Sequence, residues 1–83
     1  MTVRDTTKEI AELEQVEAAV EDDIVEAYAV LGRLLATPAI NELAQKRRQR
    51  SITVQRLEIA RMQKVLIDVQ LELRAARDTR ADG

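Results

Sequence analysis

The sequence predicts an all-α fold. It takes the form of an antiparallel two-helix hairpin, coiled-coil-like, packed into an oligomeric or hetero-oligomeric helical bundle. Three observations lead there. Strong helix formers (Ala, Leu, Glu, Gln and Arg) dominate the 83 residues. Apolar residues recur at alternating steps of three and four in both halves of the chain. The single proline, Pro38, stands almost at the midpoint and separates the two patterns.

The first helix is expected over about residues 6–36. Asp5, Thr6 or Thr7 supplies its cap, and the acids that follow suit the positive end of the macrodipole. Its heptad reads Ile10, Leu13, Glu17, Val20, Ile24, Ala27, Leu31, Leu34. Val16, Tyr28, Val30 and Leu35 widen the stripe, which favours a multi-helix bundle over a narrow two-stranded seam. Gly32 costs about 1 kcal/mol relative to Ala in a helix interior. It marks either a close helix crossing or early fraying of the last turn.

The turn is expected at Thr37-Pro38. A residue before proline is driven out of helical dihedrals, so the first helix stops near Ala36. Thr37 then serves as N-cap and Pro38 as the first residue of a second helix, expected over about 38–78. That helix begins with Ile40 and Leu43 and passes a basic run, Lys46-Arg47-Arg48-Gln49-Arg50. A second heptad follows: Ile52, Ile59, Met62, Leu66, Val69, Leu73, Ala76. Ser51-Ile52-Thr53-Val54 is its weakest point and a candidate kink, because β-branched residues lose rotamer freedom in helices. Folding at Pro38 sets Ile24 against Ile52, Leu13 against Met62, Ile10 against Leu66, and Leu34 near Asn41. Glu17 then falls opposite Ile59 and is expected to lean out to solvent. Residues 1–83 form a single domain, with residues 1–4 and 79–83 expected to be disordered.

The net charge of −2 hides an asymmetry. Residues 1–38 carry nine acids against Arg4, Lys8 and Arg33, a balance of −6. Residues 39–83 carry ten bases against six acids, a balance of +4. An acidic helix beside a basic one favours antiparallel packing within the chain.

The second helix carries another apolar stripe, Val54, Leu57, Ala60, Ile67 and Leu71, on the side away from the first. Arg47, Arg50, Arg61 and Lys64 share that side at helical spacing. One partner helix covers one face, so a further partner is expected here. The partner-binding set is Arg47, Arg50, Val54, Leu57, Arg61, Lys64, Ile67 and Leu71. The complementary acidic docking face is Glu14, Glu21, Asp22 and Glu26, beside Val20 and Val25.

Catalytic chemistry finds no support in the residue types. His and Cys are absent, which removes imidazole bases, thiolates and Ser-His pairs. The glycines, Gly32 and Gly83, form no phosphate-binding loop. Glu14, Glu17 and Glu21 lack the histidines of a di-iron bundle. The expectation is therefore a non-enzymatic chain with no cofactor, no metal and no small-molecule substrate. Nucleic-acid binding through residues 46–50 is a weaker alternative. The chain is slightly acidic overall, and no aromatic lies near the basic run to stack on bases. No apolar run reaches the ~18–20 residues of a membrane span. The N-terminus is too polar for a signal peptide, so a cytoplasmic protein or a virion component is expected.

Size and hairpin plan resemble three groups at the level of shape alone. These are dimeric helical-hairpin regulators, needle-type subunits of secretion systems, and small assembly chaperones or virion components. The needle subunits carry a Pro-x-x-Pro turn where this chain has Thr37-Pro38, so no functional residues carry over. The functional expectation is a protein–protein interaction or assembly module: an adaptor, an assembly chaperone, or a structural subunit of a phage or secretion-type system. It would bind itself, a larger protein, or both. The alternative is a small inhibitor or regulator of a larger enzyme or nucleic-acid machine.

Overall fold

The computed structural model describes residues 6–82, with side chains described for residues 6–79. Among the described residues there are two helices, α1 (Thr6–Ala36) and α2 (Glu42–Asp82), and no strand. They pack side by side as an antiparallel hairpin, a rod of 66 × 19 × 14 Å. The expected disorder of residues 1–4 and Gly83 falls outside the described residues.

The covered positions follow the expected 3-4 spacing along α1: Thr6, Ile10, Leu13, Glu17, Val20, Ile24, Ala27, Leu31 and Leu34 are all buried or half-buried. Along α2 the same spacing runs through Arg48, Ile52, Gln55, Ile59, Met62, Leu66, Val69, Leu73 and Ala76. The buried apolar set among the described residues is small: Ile10, Ala27, Ile52, Ile59, Val69 and Leu73. Leu73, at 1% exposure, is the best covered of them. Ile10, Val69 and Leu73 form one cluster, with Leu13 and Ala76 packed on it.

The register differs from the expected one by about one heptad. Ile10 packs against Val69 and Leu73 rather than Leu66. At the open end Thr6 and Glu9 share a cleft with Ala75, Ala76 and Thr79. At mid-length the Gln55 side-chain amide donates to the Ala27 carbonyl at 3.0 Å. A one-heptad slip preserves which face is buried, so the pattern alone does not distinguish the two registers. Length distinguishes them. With 41 residues against 31, α2 overruns α1. The expected register leaves Leu73 and Ala76 beyond the end of α1, whereas the observed one buries Leu73. Fully burying such a side chain contributes about 1.5–3 kcal/mol.

The connection is correspondingly longer than a Thr-Pro turn. α2 starts at Glu42, four residues after Pro38. Its cap is Asn41, not Thr37: the Asn41 Oδ1 accepts from the Ala44 N–H at 2.8 Å. The Asn41 carbonyl accepts the first helical bond, from the Gln45 N–H at 3.0 Å. Thr37 instead closes α1, donating to the Arg33 carbonyl from its N–H at 3.1 Å and its hydroxyl at 2.7 Å. Arg48 reaches back, its Nη1 donating to the Thr37 carbonyl at 2.6 Å. The connection therefore runs beside the first turns of α2, and Ile40 is left 93% exposed.

Four further expectations resolve. α2 passes Ser51 without interruption, with the Thr53 hydroxyl folded onto the Gln49 carbonyl at 3.0 Å. It also continues past residue 78 to Asp82, where a disordered tail was expected; a helix needs no apolar pattern to continue when the residues are Arg, Ala and Asp and no breaker intervenes. Gly32 marks no helix crossing, since nothing lies within 4 Å of where a Cβ would sit. Glu17 is half-covered at the seam, and no charged residue is buried among the described residues.

These features separate experimentally. Gly32→Ala is expected to stabilise by about 0.5–1 kcal/mol, by removing backbone freedom from the unfolded chain. Asn41→Ala is expected to cost about 1 kcal/mol by removing the cap. In thermal denaturation followed by circular dichroism, 1 kcal/mol moves the midpoint by about 4–8 °C for a domain of this size. An Asn41→Ala variant as stable as the wild type would contradict the cap assignment. Leu73→Ala is expected to cost more, about 2–5 kcal/mol.

Candidate docking faces

The exposed surface of α2 is built by the seam. Ile52, Ile59, Leu66 and Leu73 point at α1, so the positions five residues after each point directly away. Those are Leu57, Lys64, Leu71 and Asp78, and Arg50 precedes them by the same seven-residue step. Ile67 and Ala60 lie on one shoulder of this ridge, with Val54, Arg61 and Arg47 on the other. All eight predicted partner-binding residues are exposed. The apolar ones are more than half exposed: Val54 58%, Leu57 58%, Ile67 56% and Leu71 59%. From Arg50 to Leu71 the ridge runs about 32 Å at 1.5 Å per residue. The ridge alternates guanidinium or ammonium groups with branched aliphatic side chains. Such a surface buries apolar area against a helix while the long cationic stems cover its margins.

The acidic set does not share one face. Glu14 and Glu21 lie at the edge of the seam, in line with Tyr28 and Leu35, while Asp22 and Glu26 lie on the outer side of α1. Glu14 is engaged within the chain: Arg77 donates to it from Nη2 at 3.3 Å. One edge of the hairpin is laced by this pair and by Gln63, whose amide donates to the Tyr28 hydroxyl at 3.0 Å. Among the described residues, Glu21, Asp22, Asp23 and Glu26 pair with no base of the chain. Arg47, Arg50, Arg61 and Lys64 likewise pair with no acid, whereas Lys46 lies 3.8 Å from Glu42 in the same helix.

Exposed apolar side chains extend beyond the stripe read from the sequence. Val25 is 69% exposed, Leu35 52% and Leu43 58%, and Tyr28 is nearly half exposed. Tyr28 and Leu35 were expected to widen the buried stripe of α1; a single partner helix is too narrow to reach them. Ile40 was expected inside a helix and lies in the connection. The signal for its exposure was Asn41, a better N-cap than a threonine three residues upstream of the periodic pattern.

The total surface makes the same point. The chain exposes 6737 Å², about a third more than the ~5,000 Å² expected for a folded monomer of its 9.4 kDa. The excess, about 1,700 Å², is about twice the ~800 Å² that each partner gives up in a standard protein–protein interface. No helix among the described residues is long and apolar enough to cross a membrane.

Among the described residues, Arg48 is the one seam position with an unsatisfied polar atom: its Nε is covered and has no partner. Covering it without a bond carries a cost of about 1–3 kcal/mol. The hydrogen bond from its Nη1 to Thr37 holds the connection in place. Arg48→Ala is accordingly expected to raise amide exchange across residues 37–41 and leave exchange around Leu73 unchanged.

No protein-family model, no curated protein and no solved structure matches this chain.

Proposed function

We propose that this chain is a non-enzymatic assembly module that binds other helical protein surfaces through the outward face of α2. The observation that supports this most directly is the exposure of Leu57, Ile67 and Leu71 along a helix whose opposite face is already covered by α1. Burying each is worth about 1.5–3 kcal/mol. A two-helix unit of this size, with six buried apolar side chains among its described residues, has little stability to spare without such burial. The arginines and Lys64 along the ridge favour a partner helix bearing carboxylates. Structural, adaptor and chaperone-like roles all follow from this one mode of action, and so does a regulatory role on a larger protein.

Sedimentation equilibrium at micromolar concentration, with and without Leu57→Asp plus Leu71→Asp, tests the reading. Where self-assembly is the purpose, the wild type exceeds the monomer mass and the double variant loses both assembly and helicity. Where a foreign protein is the target, the double variant keeps its helicity and loses only that target. A cooperative, stable wild-type monomer that binds no protein would refute the proposal.

A further inference from the structure

Cutting the hairpin at the Ala27–Gln55 contact divides its charge lengthwise. The turn half, residues 27–57, carries Arg33, Lys46, Arg47, Arg48, Arg50 and Arg56 against Glu42, a balance of +5. In the open half, residues 6–26 of α1 carry eight acids against Lys8, a balance of −7. Residues 58–79 of α2 hold four acids and four bases and balance to zero. The acidic and basic halves of the sequence thus become the two ends of a rod 66 Å long.

We infer that the occupant of the exposed faces is a second copy of this chain, lying antiparallel so that each basic turn half sits alongside the acidic α1 segment of the other. Three observations converge on it. The charge pattern is self-complementary only in this orientation, because a parallel pair sets +5 beside +5 and −7 beside −7. The exposed apolar residues run along the rod from Val16 and Leu71 near the open end to Leu35 and Leu43 near the turn, so the partner must itself be a long rod. The excess surface, about 1,700 Å² per chain, is about twice the ~800 Å² that each partner gives up in a standard interface, as a contact along much of the rod requires. A two-fold axis through the middle of the pair repeats each contact twice and closes the assembly, which a head-to-tail stack does not.

This inference rests on the self-assembly branch of the proposed function, and one experiment separates their failures. The chain lacks cysteine, so single cysteines label cleanly. A donor dye on Ala39→Cys, at the turn, is mixed with an acceptor on Ala39→Cys or on Ala11→Cys, at the open end. Energy transfer is expected to be strong for the 39–11 pair and weak for the 39–39 pair. Raising salt from low to about 0.5 M is expected to weaken the dimer by on the order of tenfold, since screening removes attraction. Strong 39–39 transfer, with a dimer that tightens in salt, would overturn the orientation and leave self-assembly standing. A monomer at micromolar concentration would overturn both. That holds equally for a monomer that retains duplex DNA or phosphatidylserine vesicles at low salt, which would assign the basic half to phosphate groups.

Discussion

Everything in this molecule depends on the register of one apolar seam. α1 and α2 share a heptad pattern, and sliding one past the other by seven residues returns the same faces to contact. The observed setting buries Leu73 against Ile10 and lets Gln55 reach the Ala27 carbonyl, a bond that needs a small residue at position 27. The amide is half-buried at the seam, so this bond adds to the preference for one register among those that apolar packing leaves nearly equal. The connection yields to this choice. It lengthens, leaves Ile40 in water, and is held by Thr37, Asn41 and Arg48.

The register also decides the electrostatics. Nine acids near one terminus and a basic run near the middle have no geometric meaning in the linear chain. Folding at the connection places residues 46–50 beside the last turns of α1, where acids are absent, and leaves Glu12 to Glu26 beside a neutral stretch of α2. Within the chain, opposite charges therefore pair sparsely, and exposed pairs such as Glu14–Arg77 contribute little to stability. The separated charge is left for intermolecular use, alongside apolar ridges that a single hairpin is too narrow to cover.

Much of the fold was legible because helical periodicity is local. The stripe from Ile10 to Leu34 and the stripe from Ile52 to Ala76 needed no knowledge of the partner, since a residue's face on a helix follows from its number alone. The same argument placed Leu57, Ile67 and Leu71 on the outer side of α2, where they are found exposed. The turn was less legible. Thr37-Pro38 and Asn41 both offer valid helix starts: Asn41 is the better cap, while Pro38 is favoured at a first helical position, so the two local signals compete. Gln55 and Arg48 went unread as seam residues because they are polar, although both fall on the heptad. Glu14 and Glu21 were grouped with Asp22 and Glu26 by charge, and the helix wheel splits them between edge and outer side.

The sequence by itself determined that this chain is two helices, which side of each is apolar, and that more apolar surface exists than one hairpin contact covers. Those properties are set by residue type and spacing along a single helix. Only the tertiary structure decided which heptad faces which, where the second helix begins, and how the charges lie along the rod. The reason is degeneracy: a seven-residue slip preserves every local preference, and only the unequal lengths of α1 and α2, with the Gln55–Ala27 bond, break the tie.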